Sequence, residues 1–318
     1  QRRSRCIRGA VWFMVLDNSS VNANSPIDTI LIIIRTLNEI SFLPRLIQSI
    51  REQEIENALV KIVVVDSGST DGTLEYARIK ADLVVTIEKS KFTFGRSINL
   101  GISSVISKYT VLISGHCIPL DQFWLENLLQ PMRNNGASAT YGRQIAPNSG
   151  RYSESRIFNV QYPIDSTFPD LDPKFNNANS AFKSHLGAEF RFDEDLPGLE
   201  DLDFAFRIME FGHTIAYVSS AQVVHHHSES WQRIQKRFER ESRALALIKP
   251  LANPNLYAVF RGFYLSCFRD LRSLNCKGLL REFKSVLFYR SAQYRGIHRG
   301  AKNSSEITTS ELDGYFFS

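Results

Sequence analysis

Long apolar runs are missing from this 318-residue sequence. The longest, Ala10–Leu16 and Ile30–Ile34, fall far short of the roughly 20 residues needed to cross a bilayer, so no membrane-spanning helix is expected. Cysteine is scarce as well: Cys6, Cys117, Cys267 and Cys276 stand far apart and outside any CxxC spacing. That spacing argues against a disulfide framework or a cysteine-based zinc site and makes a reducing cytoplasm the expected compartment. A clean secretory signal is also lacking, because Arg2, Arg3, Arg5 and Arg8 precede a short apolar stretch without a small-residue cleavage site. Residues 1–27, which open on Gln, are expected to be an N-terminal extension or the edge of a fragment or tag.

Charge is present but unevenly placed. The net charge is +5, yet Trp231–Lys302 holds 16 Lys and Arg against 4 Asp and Glu, a local balance of +12 that leaves −7 for the rest. Aromatics including Phe260, Tyr264, Phe268, Phe283 and Phe288 are interleaved with these cations. Such a segment reads either as an amphipathic face for a membrane surface or acidic partner, or as a solvated face over a private core. With the basic charge confined to one end and no recognised binding motif, nucleic acid is not an expected partner.

At 43% hydrophobic content the chain can bury one large core, a single α/β domain with an appendage. From Thr29 the pattern alternates: aliphatic runs Ile30–Ile34 and Ile62–Val65 flank a stretch, Ser41–Gln53, with helical apolar spacing. Thr73–Lys80 as helix, Leu83–Ile87 as strand, Gly95–Ile106 as helix and Tyr109–Ile113 as strand continue it. Continuous rather than alternating hydrophobicity predicts strands buried on both faces, hence a doubly wound, mostly parallel sheet. Helix is expected at Trp124–Asn134 and from about Leu202 to Phe211, and strand at Ala139–Tyr141 and Thr214–Val218. Gly142–Asn177, rich in Pro, Asn, Ser and Asp, reads as an open substrate-facing region. After His227 the chain reads as helical to about Arg290, broken near Pro250–Pro254, with a polar tail.

Four constellations can carry chemistry. Asp66–Thr73, D-S-G-S-T-D-G-T, follows a buried strand, where ligands of such sheets bind; Asp66 there either meets a base or ribose or merely closes a capped turn. In Phe94–Ile102, Arg96 and Asn99 lie three apart at a helix start, placed for a diphosphate or for the surface. Glu200 and Asp201 open an amphipathic helix, either as partners of its dipole or as a rigidly held proton acceptor. His225-His226-His227 follow a strand, whose alternation lets one or two of them converge on a metal.

Together these residues resemble glycosyltransferase family 2, an inverting family with the GT-A fold, across roughly Asp28–Ser242. The matching pieces are I-I-I-R-T-L-N-E (Ile32–Glu39), V-V-V-D-S-G-S-T-D-G-T (Val63–Thr73), F-G-R-S-I-N-L-G (Phe94–Gly101), W-L-E-N-L (Trp124–Leu128), the Gly198–Asp203 block and the histidines. The resemblance implies a catalytic domain at 28–242, with a nucleotide-binding half at 28–141 and an acceptor half at 142–242, followed by a helical extension at 243–318. It implies Asp201 as catalytic base, with Thr36, Asp66, Arg96 and Asn99 at the nucleotide, Glu39 closing the donor pocket, and Arg143, Asn179 and Glu200 at the acceptor.

One departure stands out: where the family carries Asp-X-Asp, this chain reads Ser114-Gly115-His116. Ser114 and His116 therefore stand at the donor's phosphates. Either His116 with His226 or His225 holds a divalent metal, Mn²⁺ or Mg²⁺ in the family or a softer ion, or basic groups neutralise the phosphate. A donor with a single phosphate, or a degenerate binding module, would also accommodate the change. The expected activity is sugar transfer from a nucleotide sugar to a saccharide or lipid-linked acceptor in surface-polysaccharide synthesis, cytoplasmic or peripheral at the inner membrane face. A nucleotidyltransferase is the rival enzyme class, but Arg35–Glu39 lacks its Gly-rich phosphate loop.

Overall fold

The computed structural model describes residues 27–227, 229–249 and 254–302. Cys6, the N-terminal extension before Ile27, the polar tail and most of the break near Pro250–Pro254 lie outside them. Eight strands form one sheet among the described residues: β1 (Asp28–Thr36), β2 (Ala58–Asp66), β3 (Leu83–Thr86), β4 (Tyr109–Ser114), β5 (Cys117–Pro119), β6 (Ala139–Ile145), β7 (Asn179–Lys183) and β8 (Ile215–His225). Their order is β3-β2-β1-β4-β7-β6-β8-β5. The β3-β2-β1-β4 half is parallel, β7 runs antiparallel between β4 and β6, and β5 is an antiparallel edge on β8.

The Ile run of β1 explains the doubly wound form. Ile30, Ile32 and Ile34 enter one core with helices α1 (Leu43–Arg51) and α4 (Trp124–Asn134), while Leu31 and Ile33 enter a second core on the other face. That second core contains α3 (Phe94–Ser103), α6 (Ser184–Phe190) and α7 (Glu200–Glu210). Both faces of the strand are thus withdrawn from water, which is why its hydrophobicity is continuous. The α2 helix (Thr73–Lys80) links β2 to β3.

Gly142–Asn177, expected from its composition to be open and irregular, contains α5 (Tyr152–Gln161). Its apolar spacing is thin because Ser153 and Glu154 take buried positions. Beyond the sheet come α8 (Trp231–Ile248), α9 (Leu256–Arg272) and α10 (Cys276–Lys302), the last reaching past the Arg290 expected. Gly296 and Gly300, four apart and so on one face of α10, press against the α8 backbone; a Cβ on either would collide with the carbonyls of Gln235 or Glu239. That approach fixes α8 against α10.

Candidate functional site

The carboxyl ends of β1, β2 and β4 finish in register, with Thr36 opposite Asp66 and Arg35 opposite Ser114. Strand order reverses between β1 and β4, the place where open α/β sheets bind ligands. A cleft of about 910 Å³ opens there, bounded by the loops after β1 and β2, the start of α7, the end of β8 and one side of α8.

Glu200 and Asp201 lie on its floor. Glu200 is buried and Asp201 partly exposed. Asn177 holds both: its backbone N–H donates to Asp201 Oδ2 (2.8 Å) and its side-chain amide to Glu200. Burial pushes the Asp201 carboxyl up to about 7, and the charge of Glu200 adds to the shift. Burial raises Glu200 too, opposed chiefly by Arg35, whose guanidinium lies 3.8 Å away. A carboxylate poised near neutrality has the pKa a general base requires.

Arg35, which the sequence reading passed over, lines the cleft, and its buried NH1 makes no hydrogen bond. Its guanidinium covers the Phe94 ring at 5.0 Å, and Arg240 from α8 covers it at 4.7 Å. The signal was a lone cation ending an isoleucine run. Arg233 and Lys236, also on α8, are exposed at the cleft margin. Nothing in the linear sequence singles them out for the cleft from the other cations of that basic segment.

The short β5–β8 ladder pairs Cys117 with His225, and the His226 amide donates to the His116 carbonyl (3.1 Å). His116 is thereby set beside the late histidines, its Nε2 3.1 Å from that of His225. The third member of the cluster is His227. His226, which the sequence reading favoured, is turned the other way by strand alternation and packs on Phe42 at 4.9 Å. Each clustered ring has its Nδ1 on an oxygen: His116 on Glu39 (2.6 Å), His225 on Gln144, and His227 on Glu154 (2.7 Å). This donor set fits a divalent cation, because ligating histidines characteristically hand their second nitrogen to such acceptors. Ser114 Oγ lies 3.3 Å from His116 Nε2 at the rim of the cluster.

The remaining expected residues fall in different places. Asp66 and Thr36 sit beneath the cleft rather than in its lining, joined by a 3.1 Å hydrogen bond. The Asp66 carboxylate also accepts from the Gly68 and Ser69 amides (3.0 Å each), bracing the loop whose Gly68 and Thr70 do line the cleft. Arg96 does not reach the cleft lining; it pairs with Glu194 at 2.8 Å. Asn99 is buried and clamps Phe192 by exchanging hydrogen bonds of 2.9 Å with its backbone. Asn179 is likewise structural: its side chain is buried, accepting from Trp124 Nε1 and donating to the Ala221 carbonyl (2.9 Å each). Arg143 does not line the cleft, because β6 alternation points Gln144 there instead. These four residues satisfied a pattern of polar types, but the backbone directions turn their side chains to other partners.

Solved structures share this architecture. The mannosyltransferase PcManGT from Pyrobaculum calidifontis, in complex with GDP-Man and Mn²⁺, has a TM-score of 0.58 at 15% identity, covering 87% of this chain and 86% of its own. Glucosyl-3-phosphoglycerate synthase from Mycobacterium tuberculosis, with Mn²⁺, UDP-Glc and phosphoglyceric acid, has a TM-score of 0.53 at 18% identity, covering 70% and 78%. The fold is GT-A. Residues 31–198, more than half of the chain, match the description Glycosyl transferase family 2. The chain belongs to this family and is a transferase.

Two curated relatives are O-antigen chain rhamnosyltransferases. WbaN of Salmonella anatum is 25% identical over 199 residues, 59% of this chain and 63% of that protein. RfbN of Salmonella typhimurium is 26% identical over 220 residues, 64% of this chain and 69% of that protein. The match thus spans under two thirds of the length of the first.

Proposed function

We propose that the protein transfers a sugar, of the deoxyhexose class that the rhamnosyltransferase relatives handle, from a nucleotide diphosphate to a hydroxyl of a growing surface polysaccharide. Asp201 carries this reading: a carboxylate at a helix start, facing a cleft at the sheet's switch point, with its pKa raised to about 7. In a single displacement, Asp201 takes the proton of the acceptor hydroxyl as that oxygen bonds to the anomeric carbon. The bond to the phosphate oxygen breaks on the opposite face, its electron pair leaves with the nucleoside diphosphate, and the configuration inverts.

The donor's nucleotide rests on the loops braced by Asp66 and Thr36. Arg35 and Arg240, both held against the Phe94 ring, present positive charge near the floor of the cleft. Glu200 orients the acceptor and tunes Asp201. His116, His225 and His227 would hold a divalent cation, which when bound supplies positive charge to the departing diphosphate.

A lipid-linked acceptor fits the C-terminal helices. Tyr257, Phe260, Tyr264 and Phe268 recur at helical spacing along α9 and are 74%, 56%, 68% and 59% exposed, with Arg261, Arg269 and Arg272 exposed on the same helix. Aromatic residues flanked by cations suit the surface of an anionic bilayer, giving peripheral attachment. No described helix is long and apolar enough to cross a membrane.

The test is Asp201→Asn with a panel of UDP-, GDP-, dTDP- and CMP-sugars. Stabilisation of the fold by the correct donor is expected to persist, because binding to the native state alone raises the melting temperature. Turnover is expected to fall roughly 10²–10⁴-fold. Unchanged turnover would remove Asp201 from its role.

A further inference from the structure

We infer that His116, His225 and His227 form an all-imidazole site that takes a nitrogen-preferring transition ion such as Zn²⁺ or Co²⁺ in preference to Mg²⁺. This deepens the metal reading given above by naming the class of ion, and it is independent of which sugar is moved.

Tautomers carry the argument. Glu39 and Glu154 present carboxylate oxygens to Nδ1 of His116 and His227. A carboxylate accepts and does not donate, so the proton of each ring sits on Nδ1. In the third ring His225 Nδ1 faces the Gln144 amide oxygen, while the Gln144 amide nitrogen donates to the Tyr162 hydroxyl at 2.8 Å; with that orientation the ring's proton sits on Nδ1 as well. With the proton of each ring assigned to Nδ1, Nε2 is the atom left to ligate, that of His116 also lying 3.3 Å from Ser114 Oγ.

The three rings line the cleft together. His116 Nε2 and His225 Nε2 face each other at 3.1 Å, and the rings stack at 5.0 Å. His227 meets His225 edge-on at 4.0 Å, and the candidate ligand atoms of all three residues lie within 4.8 Å of one another. Two acceptors at that separation repel unless a proton or a metal cation lies between them. Two imidazole nitrogens bound to one tetrahedral ion at 2.0–2.1 Å stand about 3.3 Å apart, so only a small adjustment separates the observed pair from ligation. The three Nδ1 acceptors supply the outer bracing that ligating histidines require.

Ligand type then selects the ion. Mg²⁺ demands oxygen donors and gives up water reluctantly, whereas imidazole suits zinc, copper, iron and nickel. The carboxylates nearby are already paired: Glu39 with His116, Glu154 with His227 and Arg237, and Glu229, which neighbours Glu154 and His227, with Arg237 at 2.9 Å. The chain has put nitrogen where its family puts oxygen, and the ion should change with it.

The experiment uses chelator-stripped full-length protein without donor or acceptor. Titration with Co²⁺ is followed by visible absorption, and titrations with Zn²⁺ and Mg²⁺ by calorimetry. One equivalent of Co²⁺ should give a ligand-field spectrum that Zn²⁺ abolishes, with no competition from Mg²⁺ at equal concentration. His227→Ala should lose the spectrum and Glu154→Gln should weaken binding roughly 10–100-fold, while His226→Ala should keep both. Circular dichroism confirms that each variant is folded. Absence of Co²⁺ and Zn²⁺ binding in folded wild type, equal competition by Mg²⁺, or an unchanged spectrum in His227→Ala would overturn the assignment. None of these outcomes bears on Asp201, so sugar transfer stands or falls separately.

Discussion

Glu200 and Asp201 hang on a single residue, the side chain of Asn177 binding the first and its backbone N–H the second. The two carboxylates therefore titrate in each other's field. Removing the negative charge in Glu200→Gln lowers the Asp201 pKa, so the acidic limb of kcat/KM should move to lower pH from its position near 7. Removing the positive charge in Arg35→Gln, which now favours both ionised forms, should move that limb upward. Paired pH–rate profiles read both shifts. A limb that moves in neither variant belongs to another group.

The same carboxylate costs stability. Unfolded Asp201 titrates near its ordinary value of about 3.9, while the folded group holds its proton to about 7. Between those values the native state binds more protons than the unfolded chain, so this residue's contribution to stability declines as pH rises through the window. Asp201→Asn escapes the decline. Its melting temperature should match wild type near pH 3 and exceed it at pH 8, a comparison that thermal unfolding at both pH values makes directly.

Asp270 and Arg290 form a buried pair in which Nε and NH2 of the guanidinium meet the two carboxylate oxygens at 2.8 and 3.0 Å. Ser153 of α5 donates to the same carboxylate at 2.7 Å, joining three helices. Asp270→Ala leaves a buried cation without a partner and should cost about 3–5 kcal/mol in denaturant unfolding. The double variant with Arg290→Met should recover much of the loss, since neither charge then remains.

The exposed aromatic stripe of α9 can be removed without touching the cleft. A triple variant, Phe260→Ser, Tyr264→Ser and Phe268→Ser, should abolish co-sedimentation with anionic vesicles, each ring contributing on the order of tenfold to partition. Wild-type binding should weaken with added salt. Equal binding by the triple variant would end the membrane reading and leave α9 facing solvent or protein.

Most of the sheet was legible because its strands are buried on both faces: an unbroken aliphatic run such as Ile30–Ile34 has few other uses. Asp201 was legible because a loop-to-helix start announces itself in sequence. The rest depended on direction. Asn99 and Asn179 look like site residues by type, yet whether a buried amide faces a ligand or clasps a backbone is decided by neighbours more than forty residues away. His227 could have been chosen over His226 only from the β5–β8 register, which rests on a strand of three residues. The cations of α8 showed only as part of a basic segment, and their place at the cleft arises from the packing of α10 on α8 through Gly296 and Gly300.

That packing has a consequence for how the enzyme is made. One wall of the cleft belongs to α8, and α8 is held by glycines near the end of α10. A nascent chain that has already emitted the whole sheet still lacks the clamp for that wall, so it cannot present a finished cleft. Competence therefore awaits the emergence of Gly296 and Gly300, and products cut short before them are expected to be inert rather than indiscriminate.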